Sequence, residues 1–69
     1  MKLTQIEYFI TVCECGSFSR AAEKCHISQP GISKAIRELE EECGVALFQR
    51  NRNNIQITRR GRILLEHAR

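Results

Sequence analysis

The sequence predicts a mainly α-helical fold in which three helices are followed by a two-stranded hairpin and the start of another helix. Apolar residues recur at helical spacing up to Cys43, short apolar runs flank an Asn-containing turn after Gly44, and helical spacing returns beyond Thr58. The 69 residues suffice for one small domain, with little room for an enclosed catalytic cleft. We therefore expect the function to lie on the surface and expect no enzymatic activity.

The first predicted helix covers about residues 4–15. Thr4 and Glu7 have the spacing of a capping box at its start, and Gly16 suits a left-handed cap at its end. Its apolar stripe, which we expect to face inward, consists of Leu3, Ile6, Phe9, Ile10 and Cys13.

A short second helix follows, and Ser17 or Ser19 can cap its start. It ends near Cys25, and a link of three residues, 26–28, leads to the next helix. We expect His26 to occupy a turn position with unusual dihedral angles rather than to bind a metal. The residues expected to face inward are Phe18, Ala21, Ala22 and Cys25.

The third predicted helix covers residues 29–43, with Ser28 as its cap, Pro30 in its first turn and Gly44 after its end. Its apolar arc, about 100° wide, consists of Ile32, Ala35, Ile36, Leu39 and Cys43. The outer face changes chemistry along its length. Its first half carries Gln29, Ser33, Lys34 and Arg37, whereas Glu38, Glu40, Glu41 and Glu42 fill the last two turns. Only the first half is therefore suited to approach a polyanion.

Two short strands are predicted next, at Val45 to Gln49 and Ile55 to Ile57. The turn between them, from Arg50 to Asn54, carries Arg50 and Arg52 near its tip. Thr58 is suited to cap a last helix, whose apolar stripe is Ile63, Leu64, His67 and Ala68. The stripe is still in mid-pattern where the sequence stops.

Charge is unevenly divided along the chain, whose net charge is +3. Residues 1–45 carry five cations and seven glutamates, whereas residues 46–69 carry six arginines and a single acid, Glu66. A solvated surface usually mixes both signs, so this concentration favours contact with a polyanion. The arginines concerned include Arg50, Arg52, Arg59, Arg60 and Arg62.

Four cysteines, Cys13, Cys15, Cys25 and Cys43, raise the alternatives of two disulfides, a zinc site or a redox sensor. The spacing lacks the paired C-x₂-C knuckles of structural zinc sites. No apolar run is long enough for a secretory signal or a membrane span, so we expect an intracellular, cytoplasmic protein without disulfides. Three of the cysteines fall on apolar helical stripes, and Cys15 alone is expected to be exposed. We predict neither a metal nor a cofactor.

A short helix, a tight turn and a helix with a polar outer face form the helix-turn-helix pattern, and an Arg-tipped hairpin after it makes the pattern a winged helix-turn-helix. Such a domain can place one helix in the major groove of double-stranded DNA and its wing on the neighbouring backbone or minor groove. The main alternative is a winged-helix module that binds proteins, for which apolar exposure on the third helix would be expected.

The stretch from Gly16 to Arg50 reads GSFSRAAEKCHISQPGISKAIRELEEECGVALFQR and closely resembles the N-terminal DNA-binding domain of LysR-type transcriptional regulators. The resemblance extends from Leu3, Tyr8 and Phe9 to Thr58 and Gly61. It implies base contacts for Gln29, Pro30 and Ser33. It also implies backbone or mixed contacts for Ser28, Lys34, Arg37 and Arg50, and we add Arg52 to these, although Asn53 and Asn54 depart there from the family's common Arg-Gly pattern.

The same resemblance implies an organisation and partners. Residues 1–58 would form the DNA-binding domain, and residues 59–69 the start of a truncated linker helix. In that family the linker helix continues and forms a homodimer contact, and a further domain, absent here, senses a small-molecule co-inducer. Other departures are Arg60, where a small residue is common, and Cys25 and Cys43, where leucines are usual; we expect the cysteines to weaken packing and leave function unchanged.

Overall fold

The computed structural model describes residues 1–51 and 54–68, and it confirms the mainly helical winged helix-turn-helix fold. Its elements, in chain order, are α1 (Leu3–Cys15), α2 (Phe18–Cys25), α3 (Gln29–Cys43), β1 (Phe48–Arg50), β2 (Ile55–Ile57) and α4 (Arg59–Ala68). Arg52 and Asn53, which the sequence places at the hairpin turn, lie outside the described residues.

The hydrophobic core lies where α1, α2 and α3 meet under the start of the wing. Its buried side chains are Phe9, Val12, Phe18, Ala21, Ala22, Ile32, Ile36, Leu39, Leu47 and Phe48. The inward faces predicted for α2 and α3 are confirmed, with Cys25 and Cys43 partly buried at the margin. Each of α1, α2 and α3 contacts the other two, and α1 also contacts α4. Short connections join the first three helices in sequence.

The inward face of α1 differs from the predicted stripe at two positions. Leu3 is 71% exposed, because it is the first residue of the helix, whereas Val12 is fully buried. The capping box predicted for Thr4 and Glu7 is wrong, since the helix begins one residue earlier. The Lys2 backbone N–H instead donates to Oε1 of Gln5 at 3.1 Å.

Side-chain caps set the other helix starts. The Ser17 hydroxyl accepts from the Arg20 N–H at 3.3 Å, so Ser17 and not Ser19 caps α2. The hydroxyls of Ser28 and Thr58 cap α3 and α4 at 3.1 and 3.0 Å. His26 ends α2 in the left-handed region, at φ 59°, as the turn prediction required. Gly16 and Gly44 end α1 and α3 in the same way.

The wing is an antiparallel pair in which Phe48 lies opposite Ile57 and Arg50 opposite Ile55. The first strand begins three residues later than predicted and includes Arg50. On α3, Oε2 of Glu40 accepts from the backbone N–H groups of Leu47 and Phe48 at 2.8 and 3.2 Å. The Leu47 N–H is thus bonded to α3 and not to β2, although the Leu47 carbonyl oxygen accepts from the Thr58 N–H at 2.9 Å.

Helix α4 approaches the wing at Gly61, which is buried. A Cβ at this position would overlap the carbonyl oxygen of Leu47 and come within 2.9 Å of Cγ1 of Ile57. Leu64 and Leu65 pack against the core, whereas Ile63 is 47% exposed. The predicted stripe is therefore divided, because Leu64 contacts the core whereas Ile63 and His67 are exposed.

The cysteines all lie at the margin of the core. Each is partly buried, and Cys15 packs against the core like the other three, so the expectation that Cys15 alone is exposed is wrong. Within residues 1–51 and 54–68, no cluster of three His, Cys, Asp or Glu side chains is arranged to hold a metal. In the same ranges, no helix has the length and apolar character needed to cross a membrane.

Candidate nucleic-acid interface

The N-terminal half of α3 presents its polar side chains to solvent. Gln29, Pro30, Lys34 and Arg37 are exposed, and Ser33 is partly exposed beside them. Ser28 is also exposed, but its hydroxyl is engaged as the helix cap. Amide and hydroxyl groups thus stand among two cations on one accessible helix face, a combination that can meet both base edges and phosphates.

The start of α2 lies against the start of α3. The Ser19 hydroxyl donates to Oε1 of Gln29 at 2.9 Å, between two exposed side chains ten residues apart. From the sequence, Ser19 is only a candidate N-cap of α2, and no signal within either helix reveals its bond to Gln29. It places the first turn of α2 beside the part of α3 that carries the predicted base-contacting residues.

Arg50 connects the wing to the same region. Its Cζ lies 5.1 Å from the centre of the Phe18 ring, and its Nη2 lies 3.9 Å from Oε1 of Glu40. The Phe18 ring packs edge-on against Phe48 in the core, with ring centres 5.8 Å apart. The guanidinium thus lies against a buried aromatic ring, while the Arg50 side chain remains 47% exposed.

An open cleft joins these groups into one surface. Ser17, Phe18 and Ser19 line it on the α2 side, and Arg50, Asn51 and Asn54 line it on the wing side. Because Ser19 also bonds to Gln29, the surface continues from the wing across the start of α2 to the first turn of α3. We call this continuous surface the basic face; its polar and charged residues, with Pro30 among them, are Ser19, Gln29, Pro30, Ser33, Lys34, Arg37 and Arg50.

The acidic end of α3 contacts the start of the chain. Gln5 donates through Nε2 to Glu38 at 3.3 Å, and the N-terminal ammonium group of Met1 pairs with Glu42. The start of α1 therefore lies along the C-terminal half of α3. This arrangement confirms that the two halves of α3 face different surroundings.

Glu40 corrects the prediction that all four glutamates lie on the outer face. Its side chain is only 13% exposed, and it accepts the two backbone hydrogen bonds that hold the start of the wing. Its position four residues after the buried Ile36 and beside Leu39 was the available signal, since both neighbours belong to the apolar arc. Glu40 therefore links α3 to the wing.

Comparison with known proteins gives a family for nearly the whole chain. Residues 3–62 match the family described as bacterial regulatory helix-turn-helix protein, lysR family. The chain is 39% identical over all 69 residues to the HTH-type transcriptional regulator TfdT of Cupriavidus pinatubonensis, and 41% identical to the DNA-binding transcriptional dual regulator OxyR of Escherichia coli K12. It spans 30% and 23% of the lengths of these two relatives.

Solved structures agree with the sequence relatives. A crystal structure of a CbnR_DBD–DNA complex superposes with a TM-score of 0.95 at 40% identity, covering 99% of this chain and 78% of that one. A BenM_DBD complex with catB site 1 DNA gives a TM-score of 0.94 at 38% identity, covering 99% of this chain and 76% of that one. The relatives are transcriptional regulators and not enzymes.

Proposed function

This chain belongs to the lysR family of bacterial regulatory helix-turn-helix proteins, and on that premise we propose that it binds a specific sequence of double-stranded DNA for a transcriptional regulator. The observation that carries the proposal is the continuity of the basic face, from the first turn of α3 across Ser19 to Arg50. One duplex can contact both ends of such a surface at once. The DNA complexes of CbnR_DBD and BenM_DBD support the proposal through their similarity to this chain.

In the proposed complex, α3 enters the major groove by its N-terminal half. The groove is about 12 Å wide and accepts one α-helix, so the residues on the exposed side of the first two turns reach the base edges. We assign base contacts to Gln29, Pro30 and Ser33. Their small or amide side chains supply shape and hydrogen-bonding groups without fixed charge.

Phosphate contacts fall to the residues around that reading surface. We assign backbone or mixed contacts to Ser28, Lys34 and Arg37 on α3, and to Arg50 and Arg52 on the wing. Phosphate contacts fix the register of a protein on DNA and provide most of the affinity that is independent of sequence. The wing would then lie on the adjacent backbone or in the minor groove.

We further propose an organisation for the whole regulator. Residues 1–58 are its winged helix-turn-helix domain, and residues 59–69 start a linker helix whose continuation forms a homodimer. A separate domain would take the small-molecule co-inducer, in keeping with the small share of the relatives' length that this chain spans. The regulator would act in the cytoplasm, where bacterial DNA is found.

The alternative of a protein-binding module finds no apolar surface on α3, all of which the structure describes. Such a module would need exposed apolar residues on α3, but the exposed residues of that helix are polar or charged except for Pro30. We therefore retain DNA as the partner.

Selection of bound duplexes from a random DNA pool tests the proposal. We expect an enriched motif, and an interrupted palindrome would show that two domains read two half-sites. On the selected site, contact with about four to six phosphates gives a slope of log K against log salt of roughly −4 to −5. The absence of any enriched motif, together with a slope near zero, would contradict the proposed function.

A further inference from the structure

The hydrogen bond between Ser19 and Gln29 bears on which bases this domain can read. The Ser19 hydroxyl donates to Oε1 of Gln29, with the two oxygens 2.9 Å apart. Ser28, the residue before Gln29, also carries a hydroxyl, which accepts from the Gly31 N–H and caps α3. Ser19 therefore holds the carbonyl end of the carboxamide on the side facing α2.

A free glutamine side chain reads DNA ambiguously because its amide has two different ends. It carries one acceptor oxygen and two N–H donors, and rotation exchanges their places. When both ends face a base edge, glutamine pairs with adenine, donating to N7 and accepting from N6. A group that holds the oxygen to one side removes that paired arrangement and leaves the NH₂ group as the free end.

The free NH₂ group favours a particular chemical class of base. Guanine and thymine carry a keto oxygen in the major groove, O6 and O4, which accepts hydrogen bonds. Adenine and cytosine carry an amino group at the corresponding place, N6 and N4, and that group is a donor. On adenine the NH₂ group can still donate to N7, but the N6 amino group then faces no acceptor, and cytosine offers the NH₂ group only another donor. The keto bases are therefore preferred once the groove has excluded water.

We propose that Ser19 is a specificity-determining residue, which holds the carboxamide of Gln29 so that its N–H groups read a keto base in the major groove. This inference rests on the proposed function, because it requires α3 to lie in the groove. Both side chains are exposed in the free domain, where water competes with their bond. In the complex, the DNA covers the pair and excludes that water, and the bond then strengthens.

The experiment uses five forms of the 69-residue chain: the natural sequence, Ser19→Ala, Ser19→Thr, Gln29→Ala and the double variant with Ser19→Ala and Gln29→Ala. Binding is first selected from a random pool to find the site and the base pair at which Gln29→Ala loses preference. Affinities are then measured on duplexes that differ only at that base pair. Ser19→Thr retains the hydroxyl, and circular dichroism confirms that each variant folds.

We expect the natural chain to prefer a keto base at that position by about tenfold. Ser19→Ala should reduce the preference to about threefold or less, because the released carboxamide of Gln29 can again pair with adenine. Ser19→Thr should keep the preference. In the Gln29→Ala background, the Ser19→Ala change should have no further effect on preference, since Ser19 acts through Gln29.

Three results would overturn the inference. In the first, Gln29→Ala removes the preference at this base pair but Ser19→Ala leaves it intact. That result would contradict the role of Ser19 and leave the proposed function standing. Another is an equal loss of affinity by Ser19→Ala on every duplex, which would make Ser19 a backbone contact. The third is failure of the natural chain to select any motif, which would remove the proposed function itself and the inference with it.

Discussion

The guanidinium of Arg50 lies over the ring of Phe18, with Cζ 5.1 Å from the ring centre. Phe18 is the first residue of α2, and its ring is buried against Phe48 of the wing. Arg50 therefore contacts side chains of two helices, Phe18 on α2 and Glu40 on α3. A cation placed in this way loses less side-chain freedom when it meets a phosphate than an arginine on a free loop would.

Replacing Arg50 with Ala should weaken binding to specific and random duplexes alike, because a phosphate contact carries no sequence information. The slope of log K against log salt should become less negative by about one. Titrations of a fluorescent duplex at several salt concentrations measure both effects. Lys2→Ala is the matched control, since it removes one exposed cation near the acidic end of α3. Equal effects of the two substitutions would contradict the role assigned to Arg50.

Replacing Ser33 with Ala should act on sequence preference instead. Its uncharged hydroxyl contributes little to counterion release, but it can match a base donor or acceptor. We expect a loss of about 1 to 3 kcal/mol on the selected site and a much smaller loss on random DNA, with the salt slope unchanged. Competition titrations with the two duplexes give this difference. The same loss on both would show that Ser33 contacts only the backbone.

Replacing Glu40 with Ala should destabilise the domain, because two partly buried backbone N–H groups at Leu47 and Phe48 would lose their acceptor. We expect a loss of about 2 kcal/mol in the free energy of unfolding. Glu40→Gln retains an acceptor oxygen and should lose less. Urea denaturation followed by circular dichroism measures both, with the exposed Glu41→Ala as control. A Glu40→Ala variant as stable as Glu41→Ala would contradict the link between α3 and the wing.

Replacing Gly61 with Ala should also destabilise the domain, although Ala is the better helix former by about 1 kcal/mol. The added methyl group would overlap the Leu47 carbonyl oxygen, a backbone atom that cannot turn aside. We expect a net loss of about 1 to 3 kcal/mol, and a lower Tm in thermal unfolding. Arg62→Ala, at an exposed position of the same helix, should change stability by less than about 0.5 kcal/mol. A raised Tm for Gly61→Ala would show that α4 does not sit this close to the wing.

Assembly of the 69-residue chain should depend on DNA. Leu64 and Leu65 of α4 pack against the chain's own core, and Ile63 is the one large apolar side chain exposed on the described part of that helix. A stable dimer buries about 800 Å² on each partner, far more than one isoleucine supplies. We expect a monomer at micromolar concentration, and pairing on a duplex with two half-sites. Sedimentation with and without that duplex tests this; a tight dimer without DNA would contradict it.

Helix positions were predictable because their signals are local. Ser17, Ser28 and Thr58 each precede a helix with the spacing of a cap, and the stripes of α2 and α3 recur at helical steps. The exposure of Gln29, Lys34 and Arg37 on α3 followed from the same periodicity. Local signals of this kind depend only on residues within a few positions of one another.

The parts that sequence analysis missed depend on distant residues. The sequence pattern placed Glu40 on the outer face of α3, because only the later backbone of Leu47 and Phe48 supplies the partners of its carboxylate. Ile63 and Leu65 are both apolar, and the choice of which one packs inward is set by the approach of α4 to the wing at Gly61. The roles of individual side chains on DNA, including Arg52, stay predictions.

The separation of charge along α3 has a kinetic consequence. Its acidic end lies beside the start of α1, whereas Lys34 and Arg37 are exposed on its first half, so charges of opposite sign are separated along this helix. The field of a duplex turns such a molecule while it is still diffusing, before any contact is made. The N-terminal half of α3 then arrives first, because the acidic end is repelled by the phosphates. A larger fraction of encounters therefore begins in an orientation from which the protein can slide along the DNA.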